Sequence, residues 1–105
     1  MIYRIEYAGP ARRDLRSLER YLRAEAGDAI ADRFIRDIVA KVNSLRDMPA
    51  RQRLRAELRP ELRAVSISQY MIFYHIDGDR VRVIRVLHGS RNITTKLFPR
   101  EFRKP

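Results

Sequence analysis

The spacing of apolar positions changes along the chain, and each change marks an element. Residues 2–7 (Ile-Tyr-Arg-Ile-Glu-Tyr) alternate, with Tyr3, Ile5 and Tyr7 on one side and Arg4 and Glu6 on the other. A period of two is that of a half-buried strand. Gly9-Pro10 breaks the alternation, and proline is tolerated at a first helical position because its missing donor would be unpaired there anyway. From Pro10 to about Ala26, Ala11, Leu15, Leu18 and Leu22 recur three and four apart, which predicts a helix burying one narrow stripe. Gly27 suits its C-terminal cap and Asp28 the cap of a following helix. That second helix, over about 29–47, carries Ile30, Phe34, Ile35, Ile38, Val42 and Leu45 and ends before Met48-Pro49. Asp32 and Arg36 stand four apart along it in the favoured acid-first order. A connection of about two residues makes the pair an antiparallel hairpin.

Past the hairpin, residues 49–61 are bounded by prolines and hold Arg51, Arg53, Arg55 and Arg59, with Arg63 just outside. Strand patterns resume at 62–67 and 70–76, the latter apolar on both faces and so central in a sheet. Asp77-Gly78-Asp79 is a hairpin signal, and 80–88 (Arg-Val-Arg-Val-Ile-Arg-Val-Leu-His) forms a last long strand. A polar bend over 89–95 precedes a tail in which Leu97, Phe98 and Phe102 interleave with Lys96, Arg100, Arg103 and Lys104. The order strand, helix, helix, then strands predicts an α+β single domain over 1–105. In it a helical hairpin packs on one face of a largely antiparallel four-stranded sheet, with a C-terminal tail.

Composition sharpens this. The chain has 105 residues and a formal charge of +10, with 23 basic against 13 acidic side chains. All the basic residues but Lys41, Lys96 and Lys104 are arginine, the side chain best suited to paired contacts with carboxylate or phosphate. G+C-rich coding accounts for that preference as readily as binding does, but the net charge still favours an anionic partner. The absence of cysteine excludes disulfide frameworks, thiol catalysis and cysteine zinc sites. No apolar run reaches membrane-spanning length and no signal-peptide pattern opens the chain, so a soluble cytoplasmic protein without a membrane partner is expected.

Candidate chemistry is sparse. His75 falls in mid-strand, where packing is its natural role, whereas His88 closes the last strand beside Gly89, a better-exposed place. No metal-ligand spacing, phosphate-cradling glycine loop or nucleophile elbow is present, so no metal, cofactor or catalytic set is assigned. Arg12, Arg13, Arg16, Arg20 and Arg23 fall within a sector of about 100° of the first helix. This ridge is either a solvated face or a docking surface. The tail likewise either docks on another macromolecule or folds back over its own core.

The blocks Tyr7 to Leu15, Tyr21-Leu22, Leu45 to Pro49, Tyr70-Met-Ile-Phe-Tyr74 and Val83-Ile-Arg-Val-Leu-His-Gly-Ser-Arg91 together resemble the ParE/RelE superfamily of bacterial type II toxins, and its ParE branch most. Gly9 stands where relatives often place a serine cap. The resemblance implies a toxin that forms a hetero-oligomer with a cognate antitoxin, whose acidic, partly disordered C-terminal segment folds on it. It also implies a non-enzymatic inhibitor that binds DNA gyrase and stabilises its cleaved DNA complex, meeting nucleic acid only through that target. RelE-like relatives instead cut mRNA on the ribosome, in many cases with an arginine in the third strand and an aromatic or histidine near the tail. Here Met71 takes that strand position, Arg91 matches a second basic one, and no tyrosine follows Tyr74. The ribonuclease, and a non-toxic binding module of the same fold, are the alternatives. The implied target contacts are Arg63, His88, Arg91, Lys96, Leu97, Phe98, Arg100, Phe102 and Arg103, and the implied antitoxin contacts are the ridge arginines Arg12, Arg13, Arg16, Arg20 and Arg23.

Overall fold

The computed structural model describes residues 2–98. Strand β1 (Arg4–Tyr7) leads into helices α1 (Gly9–Ala26) and α2 (Asp28–Asn43), followed by β2 (Arg53–Leu54), β3 (Arg63–Ile67), β4 (Tyr70–Asp77) and β5 (Arg80–His88). The strands form one mixed sheet in the order β1-β5-β4-β3-β2. The expected meander is present: β3, β4 and β5 pair antiparallel, and β1 joins β5 in parallel, Arg4 opposite Arg80 and Tyr7 opposite Val83. The sheet has five strands where four were expected, because Arg53 and Leu54 of the basic connector pair with Ala64 and Arg63. A two-residue strand within an arginine-rich connector carries no alternation to read.

Alternation of side chains divides the core in two. One cluster lies between the helical hairpin and the sheet: Ala11 and Leu18 of α1 and Ile38 and Val42 of α2 meet Val65, Ile72, Tyr74, Val81, Val83 and Val86. The second lies on the opposite face, where Leu58 and Leu62 of the connector and Phe98 of the tail cover Phe73, Ile84 and Leu87. The connector arginines therefore do not join the ridge on α1. The Arg55 guanidinium sits 5.8 Å over the Phe73 ring, and the Phe98 ring meets that same ring edge-on at 5.0 Å.

Three local expectations are corrected. Asp28 is not a cap: Gly27, at φ 94°, closes α1 and opens α2, its N–H donating to the Leu22 carbonyl and its carbonyl accepting from the Ala31 N–H, both at 3.1 Å. The α-helical part of the second helix ends at Asn43, and Leu45 packs from a following 3-10 turn over Ser44–Arg46. Asp32 pairs not with Arg36 but with Arg23 of α1, at 2.6 Å. The interhelical partner wins because Arg23 already lies among Glu19, Asp28 and Asp32.

Candidate functional site

The β5 strand carries a bulge that shapes this end of the molecule. Tyr74 faces Val83 while Phe73 faces Arg85, so Ile84 is the extra residue, and an extra residue bends a strand and re-aims its side chains. Beyond Val83, β1 has turned away into α1 and β5 has no strand neighbour on that side. Asp14 of α1 fills the gap. Its Oδ2 accepts the Val86 N–H at 2.9 Å, and its carboxylate takes two guanidinium bonds from Arg85, at 2.7 and 2.8 Å. The third Arg85 nitrogen donates to the Leu97 carbonyl at 2.7 Å. One largely buried ion pair thus ties α1, β5 and the tail together.

Next to this tie, α1 and the end of β5 enclose an open groove of about 260 Å³. Ser17, Leu18 and Tyr21 line one wall, and Tyr70, His88 and Arg91 the other. Tyr21 is 60% exposed, while burial, with Tyr21 nearby, raises the Tyr70 hydroxyl above its ordinary pKa. The His88 ring stands edge-on to Tyr70, centroids 5.0 Å apart, and Tyr70 in turn meets Phe34 of α2 at 5.6 Å. His88 Nδ1 accepts the Ser90 backbone N–H at 3.1 Å and lies 2.7 Å from the Ser90 hydroxyl. Because a backbone N–H can only donate, the ring proton belongs on Nε2, which faces the Gln69 side-chain oxygen at 3.3 Å. Gln69 also accepts the Gly89 N–H through its backbone carbonyl at 2.7 Å. A side chain at position 89 would bring Cβ within 3.2 Å of that oxygen, which is why the β3–β4 turn can close so tightly on Gly89.

The ridge on α1 borders this groove. Arg12, Arg13, Arg16 and Arg20 are exposed, and Arg20 reaches Ser17 Oγ, a groove residue, at 3.4 Å. Arg23 behaves differently. Hydrogen bonds that it donates, first to Glu19, then to Asp32 and Asp28, raise its pKa and hold it as a clamp between the helices.

His88 and Arg91, two of the implied target contacts, come together in the groove. Arg63 lies two strands away on β3, donating to the Gln52 carbonyl at 2.6 Å. Lys96 is exposed on the turn after the polar bend and Leu97 is half-buried. Phe98 is only 1% exposed, so this proposed contact residue is instead part of the second core, and the tail folds back over the sheet at least that far. Arg100, Phe102 and Arg103 lie outside the described residues. Ser17, Tyr21 and Tyr70 complete the site without having been singled out for it; the available signal was Tyr21, an apolar residue on α1 off the leucine stripe. Among the described residues no group of His, Asp and Glu is arranged to hold a metal ion, and no helix is long and apolar enough to cross a membrane.

Solved structures place this architecture among small toxins of the ParE and RelE type. A chain of the chromosomal ParDE TA system from P. aeruginosa superposes with a TM-score of 0.74 at 17% identity, over 83% of this chain and 96% of that one. A chain of the toxin-antitoxin complex RelBE2 from Mycobacterium tuberculosis gives 0.63 at 26% identity, over 84% and 99%. Residues 5–93 match the family described as the ParE toxin of type II toxin-antitoxin systems, and the chain belongs to that family. It is also 28% identical over 88 residues to Toxin ParE3 of Caulobacter vibrioides, covering 84% of this chain and 88% of that relative. Family and relative select the ParE branch; the 17% structural match bears on the fold alone.

Proposed function

We propose that this type II toxin acts by docking and not by bond cleavage, holding DNA gyrase on its cleaved DNA. The observation that carries the reading is the groove's lining, in which exposed Tyr21 and Arg91 stand beside a His88 ring held in place by Ser90 and Gln69, aromatic and arginine anchors of the kind that dominate docking surfaces. Met71 supports the same reading. Where ribonuclease relatives place a strand arginine, this side chain packs against the second core, leaving no cation there to stabilise a developing phosphate charge. The docking surface is the groove, with exposed Tyr21 as its aromatic anchor and Arg20 and Arg91 at its rim.

A cognate antitoxin covers the groove in this reading and forms a hetero-oligomer with the toxin in the cytoplasm. The net charge of +10 favours an acidic, partly disordered C-terminal segment, which gains electrostatic steering and apolar burial together as it folds on this surface. The relatives RelBE2 and ParDE are themselves named as toxin-antitoxin systems.

The test mixes purified protein with gyrase and supercoiled plasmid, and separately with translating ribosomes. Supercoiling is expected to stop and cleaved complex to accumulate at stoichiometric toxin, with Tyr21→Ala and Arg91→Ala each weakening the effect. Undisturbed supercoiling together with cut ribosome-bound mRNA overturns the reading in favour of a ribonuclease. Inertness in both assays, with tight binding to an antitoxin, overturns it in favour of a binding module.

A further inference from the structure

We infer that the outer face of α1 binds duplex DNA directly, with Arg12, Arg13, Arg16 and Arg20 pairing with backbone phosphates. The inference does not rest on gyrase as target; it gives the chain a nucleic-acid contact of its own.

Stability does not account for the ridge. Arg12 and Arg13 stand in the first turns of α1, where the helix dipole disfavours cations, and the first turn has no acidic residue. Arg12, Arg16 and Arg20 repeat at four-residue intervals, a like-charge spacing that costs a helix some tenths of a kcal/mol per pair. Two of the three carboxylates on α1 are committed elsewhere, Asp14 to Arg85 and Glu19 to Arg23, and Glu25 stands five residues beyond Arg20. Arg12, Arg13 and Arg16 accordingly have no ion-pair partner among the described residues, although the same chain assembles three carboxylates around Arg23.

Geometry and chemistry select the partner. At about 1.5 Å rise per residue, Arg12 to Arg20 span about 12 Å. A duplex presents a phosphate about every 1.7 Å of its axis, counting both strands, so a ridge of this length faces several phosphates at once. A disordered acidic peptide is less well matched. It must bury apolar surface to offset its ordering, and the sector between these arginines carries no large apolar side chain, the apolar anchors lying in the groove behind Ser17. Duplex DNA is ordered in advance and needs only charge and register.

The test is fluorescence anisotropy of a short labelled duplex titrated with the toxin alone, repeated across salt concentrations. Binding should weaken with salt, and the triple variant R12Q/R13Q/R16Q should flatten the log–log slope by about 2.7, at about 0.9 per phosphate contact. The control R4Q/R51Q/R53Q removes the same charge from exposed sites outside α1 and should keep the wild-type slope. Thermal unfolding of the ridge variant should match or exceed that of wild type, so lost binding is not lost fold. No anisotropy change for wild type at low salt overturns the inference, as does equal loss in both triple variants, which signals bulk charge. Ridge-dependent capture of poly-glutamate with indifference to DNA also overturns it, in favour of an acidic protein. No gyrase enters this assay, so its failure and the failure of the gyrase reading remain distinct.

Discussion

Asp14 stands where β1 would otherwise have continued along β5, and its carboxylate does for Val86 what the next strand's carbonyl would have done. With side chains only 12% and 14% exposed, Asp14 and Arg85 form a pair whose breakage strands a desolvated guanidinium. Asp14→Ala is expected to lower unfolding stability by about 3 kcal/mol, read from urea melts, with Asp14→Asn losing less because it still offers an acceptor to Val86. Tyr74 gives a second prediction. Its hydroxyl donates to the Pro49 carbonyl at 2.5 Å, and burial, opposed by nearby Arg63, pushes its pKa up to about 12. An acid whose folded pKa lies above its unfolded value contributes stability that is complete below pH 10 or so and is lost as pH climbs toward 12. Urea melts across that window should show stability falling by about 1.4 kcal/mol per pH unit from this group, and Tyr74→Phe should fall less steeply. Neither pair was legible in the sequence. Asp14 and Arg85 are 71 residues apart, and only the fold shows that one strand stops short beside the other.

The helices and long strands were legible because their apolar spacing is strong and local: the stripe Ala11, Leu15, Leu18 and Leu22 does pack on the sheet. What escaped was set by pairing at a distance. The bulge at Ile84 depends on register with β4, β2 exists only through β3, and the Arg23 clamp takes shape only once two helices lie side by side. Ile30 fitted the second helix's apolar pattern yet is 53% exposed, because α2 reaches the sheet mainly beyond its first turn. Gly27 is the hinge of the hairpin, at φ 94° and ψ 167°. That region is essentially closed to residues with a Cβ, so Gly27→Ala should cost about 1–3 kcal/mol, visible as a lowered melting temperature even though open space surrounds the position.

Across the whole molecule, cationic and apolar surfaces are sorted by face. The ridge and groove belong to the helical side, while the connector and tail close the far side of the sheet. The tail's pattern of aromatic and basic residues could not separate docking from core on sequence grounds, because a Phe among arginines suits either; Phe98 proves to be core, edge-on to Phe73. Phe98→Ala is therefore expected to cost about 3–5 kcal/mol of stability. Any loss of toxicity it causes should track the unfolded fraction seen by circular dichroism, whereas Arg91→Ala should reduce activity with an unchanged melt. The parallel pairing of β1 with β5 joins residues near opposite ends of the chain, Arg4 to Arg80. The helical hairpin and the β3–β4–β5 meander need only near neighbours, whereas β1 must wait for a partner synthesised more than seventy residues later. Non-local closure of this kind is slow, so on the ribosome β1 is made before the other strands of the sheet and placed after them. A nascent chain interrupted before Val83 lacks the full seat for β1, and the toxin fold closes only once β5 has emerged.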